Sequence, residues 1–297
     1  MRRLPIPKCL ACESATTTFW FEKSNDHGRY PISRCKSCGS AWVYPRPSED
    51  AIRQFYEKYN RHPVDLSIDA LFGRVLQQER DYPNSTIDAQ RMVARCRTLT
   101  RGGKFLDVGA GYGFSSRAAL DAGFEVTALE PSSVSRAIIK KLTDLTAEPN
   151  MLTDAFVQAH PGGFDAILLS QVLEHMLDVQ AVIDQLGSML AQGGILCLAV
   201  PHFGSTISRV QGKRDMFISP PEHVNFFTRA GLEKLLTGRG FAIAQTDTVS
   251  RVDVDRKLAR LPVRRVRDAA ARAANAMFSA MDATKTGMFL NVYARRA

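Results

Sequence analysis

The chain has 297 residues, 45% hydrophobic and 23% charged, with a net charge of +9. That length allows one sizeable α/β domain plus a small accessory module, and the N-terminal stretch MRRLPIPKCLACES carries no apolar core of a secretory signal. No apolar run approaches the ~18 residues that cross a bilayer, so a cytoplasmic protein is expected, and its six cysteines point to metal binding rather than disulfides.

Cys9, Cys12, Cys35 and Cys38 form two C-x2-C knuckles. Four thiolates at this spacing can close a tetrahedron around Zn²⁺, with all four positions taken and none left for a catalytic water. The segments TTTFWFEKS and GRYPISR between the knuckles read as short strands, so residues 1–45 are expected to form a zinc ribbon holding structural zinc. Cys96 and Cys197 lie outside the pattern, and Cys197 reads as a small core residue.

Residues 46–100 begin with a Pro-rich link, YPRPSED, and continue with helical periodicity, including Ala70 to Asp81 and Thr86 to Thr98. Tyr56 and Tyr59 in this helical linker could form a lid or pack into a core. From residue 101 onward strands and helices alternate, the pattern of a doubly wound, mostly parallel sheet.

The most informative stretch is GGKFLDVGAGYGFSSRAALDAGFEVTALEPS. A short strand, Lys104 to Val108, runs into Gly109, Gly111 and Gly113, then a helix, then a second strand closing on Glu130. Such a glycine turn lets backbone approach a ligand where a helix N-terminus offers free N–H groups. A dinucleotide fingerprint would want its third glycine one residue later. With Asp107 directly before the turn, the stretch resembles motif I of class I S-adenosylmethionine-dependent methyltransferases. The resemblance implies a seven-stranded sheet, cofactor contacts from Asp107, Gly109, Gly111 and Gly113, and Glu130 accepting hydrogen bonds from both ribose hydroxyls. It further implies an adenine contact at Asp154 in MLTDAF, for which an ordinary cap carboxylate is an equal reading, and a place for Gln171 of LLSQVLEHMLD beside the sulfonium. His175 can be read as a packing residue.

Downstream, SPPEHVNFFT follows the fifth expected strand by about twenty residues. Histidine is the residue type suited to deprotonating a hydroxyl near neutral pH, which makes His223 a candidate, and Glu222 could fix its tautomer or act as base itself. A structural reading, with Thr228 capping the helix that follows, competes with it. The stretch is similar to the Tyr-His-Glu-His-x-x-Tyr-Phe-Ser motif of zinc-ribbon methyltransferases acting on nucleotide-linked deoxysugars. It keeps Glu222-His223 and Phe226-Phe227-Thr228 but carries Pro220-Pro221 where that motif has Tyr-His, and no counterpart of those enzymes' extra C-terminal domain is expected.

Between the last two strands, FAIAQTDTVS and MFLNVYARRA, lies a basic helical insertion, 251–285. From Arg251 to Arg272 eight basic residues face three acidic ones, a local net charge of +5. It reads as amphipathic helix broken at Pro262, serving as a solvated lid, an acidic-lipid contact or a phosphate-steering mouth. The expected activity is methylation of a small-molecule acceptor, with a hydroxyl of a sugar, glycan precursor or other metabolite first, including phosphate- or nucleotide-bearing sugars. Carbon methylation of a keto-deoxysugar is one alternative and a nucleic-acid acceptor another; against the latter, the sequence has no aromatic-rich basic stripe.

Overall fold

The computed structural model of the chain describes residues 7–59, 66–251 and 264–296. It begins with a hairpin, β1 (Thr17–Asn25) and β2 (Gly28–Cys35), in which Thr17 lies opposite Cys35. That register returns the second cysteine knuckle to the first. β3 (Ala41–Val43) adds antiparallel to β2.

Three helices follow: α1 (Glu49–Tyr59), α2 (Ile68–Asp81) and α3 (Asn84–Leu99). The Ser67 hydroxyl accepts from the Ala70 N–H at 3.2 Å and starts α2. In α3 the residues Ala89, Met92, Val93 and Cys96 follow helical spacing and are buried together.

The alternating region comprises β4 (Lys104–Val108), α4 (Phe114–Asp121), β5 (Glu125–Leu129), α5 (Ser133–Thr143) and α6 (Asp154–Ala159). It continues through β6 (Phe164–Ser170), α7 (Val179–Met189), β7 (Leu190–Pro201) and α8 (Thr206–Gln211). A two-residue β8 (Asn225–Phe226), α9 (Arg229–Thr237), β9 (Phe241–Val249), α10 (Arg264–Ala283) and β10 (Phe289–Arg296) complete the chain.

The central sheet has the order β5-β4-β6-β7-β10-β9. Neighbours from β5 to β7 are parallel, and β10 lies antiparallel between β7 and β9. Both faces are covered, so the strands are apolar on both sides. Leu106, Ile167, Leu169, Leu198 and Val200 pack with α7 and α9, while Phe105, Ala166, Leu168, Cys197 and Ala199 pack with α3 and α4. Each fully buried Leu or Ile contributes about 1.5–3 kcal/mol of transfer free energy. Cys197 is a core residue, as its apolar strand suggests.

The doubly wound sheet therefore holds six hydrogen-bonded strands among the described residues, where seven were expected. After α5 the chain makes a single parallel bridge, Glu148 beside Leu129.

The N-terminal sheet gains its fourth strand from far along the chain. β8 pairs with β3, Ala41 opposite Phe226 and Trp42 opposite Asn225. The Thr228 hydroxyl donates to the Cys38 carbonyl at 2.6 Å and accepts from the Gly231 N–H at 3.1 Å, capping α9. Arg46 stitches the same seam, donating to the carbonyls of Val224, Met176 and Leu177. Its burial pushes its pKa down to about 10.

The expected break at Pro262 and the basic residues Arg256, Lys257 and Arg260 lie outside the described residues, as does the Tyr59 side chain. The described part of the insertion is the helix α10, tied to β9 where Asp282 accepts from the Ser250 N–H at 2.9 Å. Among the described residues no helix is long and apolar enough to cross a membrane.

Candidate active site

The turn after β4 is built from glycines with positive φ: 69° at Gly109, 54° at Gly111 and 86° at Gly113. A Cβ on Gly109 would lie 2.6 Å from Val172 Cγ2, so the backbone there is packed tight. At Gly111 nothing lies within 4 Å of the same position, which leaves the backbone open to a ligand.

Glu130, directly beyond β5, is 8% exposed. Its Oε2 accepts from the Gly111 N–H and its Oε1 from the Ser132 N–H, both at 2.8 Å. Each carboxylate oxygen keeps a further lone pair for a donor. Burial pushes its pKa up. Asp107, at the end of β4, is 1% exposed and accepts from Ser116 Oγ at 2.7 Å. Its pKa rises to about 6, chiefly through burial.

Above these strand ends lies a cavity of about 410 Å³, within the range of small-molecule sites. Asp107, Gly109, Gly111, Ser170, Gln171 and Ala199 line it at the C-terminal ends of β4, β6 and β7, where ligands bind in open α/β sheets. Gln171 has a φ of 58°, unusual for a residue with a side chain, and its N–H donates to Ala199 O at 2.7 Å. Backbone in that region is typically retained where function needs it.

The facing wall was not legible in the sequence. It contains Asp88 and Met92 of α3, Arg251 after β9, and Phe289 and Asn291 of β10. Arg251 pairs with Asp88 and donates to the Asn84 carbonyl, and burial lowers its pKa to about 10. Asn291 is held by Asp247, its Nδ2 donating to Oδ1 at 2.9 Å.

Beside Gln171 stands a cluster built on the short helical turn Leu173–His175. His175 Nε2 lies 3.1 Å from Gln171 O, and its Nδ1 lies 2.8 Å from Glu222 O and 2.9 Å from the Tyr56 hydroxyl. Burial, with His223 next, pushes His175 down to about 4. The His223 ring sits 4.9 Å from that of His175. Its Nδ1 donates to Phe217 O at 2.8 Å, which leaves Nε2 as the basic nitrogen of the neutral ring. Beneath them Glu174 is 1% exposed, and neither carboxyl oxygen has a partner among the described residues. Burial pushes its pKa up to about 8, so it is protonated at neutral pH. Glu174, His175 and His223 have ligand-type atoms within 4.8 Å of one another. A buried acid next to two imidazoles can pass a proton or hold a cation.

The sequence expectations map unevenly onto this geometry. Asp107, Gly109, Gly111 and Gln171 line the cavity, and Glu130 braces the glycine turn from behind. Asp154 does not border the cavity; it is exposed in the first turn of α6, where Gln185 Nε2 donates to it at 3.2 Å. Glu222 and His223 do not line the cavity either, but connect to it through His175 and Gln171. The tautomer of His223 is set by the Phe217 carbonyl, not by the Glu222 side chain. Glu222 contributes its backbone carbonyl.

The two cysteine knuckles meet as their spacing implies. Cys9 and Cys38 sulfurs are 3.6 Å apart, as are those of Cys12 and Cys35, and all four lie within 4.8 Å. A tetrahedron with Zn–S bonds of about 2.3 Å has edges of roughly 3.8 Å, so the set fits zinc. Backbone N–H groups of Ala11 and Cys12 point at Cys9, and that of Ser40 at Cys38. Cys38 is pushed down to about 5, first by its hydrogen bond with Cys9, while Cys9 is pushed up by the same bond and Cys12 by burial.

A family model described as a methyltransferase domain matches residues 81–246. Over 158 residues the chain is 29% identical to a ubiquinone biosynthesis O-methyltransferase of Psychrobacter arcticus, covering 47% of this chain and 59% of that protein. Over 110 residues it is 33% identical to a protein of the same description from Xanthomonas campestris, covering 35% of this chain and 45% of that one. The match thus spans only about half the length of these curated relatives. An S-adenosylmethionine-dependent methyltransferase from Archaeoglobus fulgidus shares the fold, with a TM-score of 0.51, 16% identity, and coverage of 75% of this chain and 99% of that one.

Proposed function

The chain belongs to the methyltransferase-domain family as a class I S-adenosylmethionine-dependent enzyme, and from that premise we propose that it methylates a hydroxyl of a small metabolite, sugars and glycan precursors among them. The observation that carries the reading is the cavity at the strand ends, floored by the Gly109–Gly111 turn and by Asp107. S-adenosylmethionine supplies a methyl group on a sulfonium, which leaves as a neutral thioether. Glu130 is the residue that would hold the ribose hydroxyls, the turn would meet the cofactor's backbone-facing side, and Gln171 would face the reacting end. Asp154, expected at the adenine, lies exposed in the first turn of α6.

For the acceptor, the chain must align a hydroxyl and remove its proton. Asn291 and the Arg251–Asp88 pair offer polar contacts on the facing wall. His223, with Nδ1 anchored and Nε2 basic, is assigned the final acceptor of that proton, which would reach it from the cavity by way of His175. The oxygen acceptor is supported by the relatives' description as O-methyltransferases. Incubation with methyl-labelled S-adenosylmethionine against hydroxylated metabolites, nucleotide sugars, polysaccharide fragments and RNA tests the acceptor class. Label is expected on a small molecule; label on RNA alone would overturn the reading.

The cofactor carries positive charge at its sulfonium and amino groups, so its affinity depends on ionised Asp107. The folded pKa of Asp107 is raised from 3.8 to about 6. In the free protein the protonated form is therefore favoured, and stability falls as pH rises from about 4 through 6. Binding follows the opposite sense: below pH 6 the cofactor must displace a proton. Each pH unit corresponds to about 1.4 kcal/mol, so calorimetry at pH 5 is expected to show about tenfold weaker binding than at pH 8. Asp107→Asn is expected to flatten that profile.

We assign a structural zinc to Cys9, Cys12, Cys35 and Cys38, since four protein ligands leave no open position. The metal also secures the core through Thr228, which donates to the Cys38 carbonyl. One zinc per chain is expected by elemental analysis. Stripping it with a chelator is expected to lower Tm by at least about 5 °C, roughly 2 kcal/mol for a chain of this size. An unchanged Tm with zinc removed would contradict the assignment.

A further inference from the structure

A second cavity, of about 500 Å³, opens where the ribbon meets the core, and it shares no lining residue with the first. Cys38 and Gly39 of the ribbon, His202 beyond β7, and Thr284 to Thr286 beyond α10 form parts of its wall. Its charge is one-sided. Arg34, Arg209, Arg229 and Lys285 line it against a single acid, Glu233.

That acid is engaged, since Glu233 Oε1 pairs with Arg229 Nε at 2.8 Å and accepts from the Thr246 hydroxyl at 3.2 Å. Arg209 and Lys285 are exposed and joined in no ion pair among the described residues. Arg34 is preset: its Nε donates to Gly39 O at 3.2 Å, and its guanidinium lies 5.3 Å from the Trp20 ring centre and 5.6 Å from that of Phe203. The nine-residue helix α9 starts at the cavity wall with Arg229 and Ala230. The Thr228 hydroxyl takes the Gly231 N–H, and the preceding N–H groups of the first turn remain for a ligand.

A second observation points inward. His202 is 4% exposed, yet it lines this cavity. Its Nδ1 donates to Gly287 O at 3.0 Å, and its Nε2 has no protein partner among the described residues. Because Nδ1 carries the proton, Nε2 presents a lone pair to the recess, an acceptor that fits the P–OH of a monoprotonated phosphoryl group. Arginine forks, a lysine and a helix N-terminus are together the donor set that recognises phosphate oxygens. The recess favours a group that enters it over a flat lipid surface.

We propose that this cavity binds the phosphoryl group of a small phosphorylated ligand. The site does not depend on which hydroxyl is methylated, and it lies outside the methyl-transfer cavity. Calorimetric titration of the zinc-loaded full chain with pyrophosphate and with inorganic phosphate tests it. Both are expected to bind, more weakly as salt is raised. In Arg209→Gln/Lys285→Gln, at two exposed positions, affinity is expected to fall at least tenfold, whereas Glu233→Gln is expected to tighten it. S-adenosylmethionine affinity, measured on the same samples, is expected to stay unchanged, which keeps failure of this site distinct from failure of the methyltransferase reading. No binding of either anion at millimolar concentration, or equal affinity in the double variant, would overturn the proposal.

Discussion

Glu130→Ala is expected to weaken S-adenosylmethionine binding by at least about 100-fold while the protein stays folded. The carboxylate already accepts from the N–H groups of Gly111 and Ser132, each at 2.8 Å. Each oxygen keeps a further lone pair for a ribose hydroxyl. Two hydrogen bonds to a charged acceptor are worth about 1.5–3 kcal/mol each, and 1.4 kcal/mol is a factor of ten in affinity. Truncation removes both and also frees the Gly111 N–H, loosening the turn. Glu130→Gln keeps the side-chain volume but puts a donor where an acceptor is required, so it is expected to restore Tm without restoring affinity. Titration calorimetry with a thermal melt separates the two effects. Wild-type affinity in either variant would remove Glu130 from the cofactor site.

His223→Ala is expected to cost 10²- to 10⁴-fold in turnover, the usual range for a lost general base, with cofactor affinity unchanged. The Phe217 carbonyl fixes Nδ1 as the protonated nitrogen. Nε2 is therefore the nitrogen that would take a proton leaving the cavity by way of His175. His175, pushed down to about 4, stays neutral beside it, and the protonated Glu174 lies beneath. Loss of turnover alone could come from a shifted loop, because His223 sits between the cavity and the ribbon. The discriminating readout is rescue by added imidazole: it should restore turnover if His223 takes the proton, whereas a displaced loop would not respond. Near-normal turnover would place His223 among the structural residues of the seam.

The parts of this molecule that could be read from sequence are those whose chemistry is local. Two C-x2-C knuckles need only their own turns and one hairpin to meet, and the Thr17–Cys35 register supplies it. The glycine turn announces itself because three positive-φ positions in five residues admit little else. Thr228 as a helix cap is equally local. What stayed hidden depends on distant chain segments meeting. Asp88, Arg251 and Asn291 share a wall though they come from α3, the end of β9 and β10. The role of SPPEHVNFFT was hidden for the same reason. Its Asn225-Phe226 is a strand of the ribbon sheet, paired to residues more than 180 positions earlier. That pairing holds Glu222 and His223 beside His175, next to the cavity and not in it. The seventh expected strand is reduced, among the described residues, to the single bridge of Glu148 beside Leu129.

The central claim is that this chain moves a methyl group from S-adenosylmethionine to an oxygen of a small molecule, using the cavity floored by the glycine turn that Glu130 braces. Its most direct test is carbon-13 NMR of the product formed from methyl-¹³C S-adenosylmethionine and the acceptor found by the labelled screen. Wild-type protein is expected to give a methyl ether resonance, and Glu130→Ala is expected to give none at a cofactor concentration that saturates the wild type. A carbon-bound or nitrogen-bound methyl from the wild-type protein, or an undiminished signal from Glu130→Ala, would contradict the account.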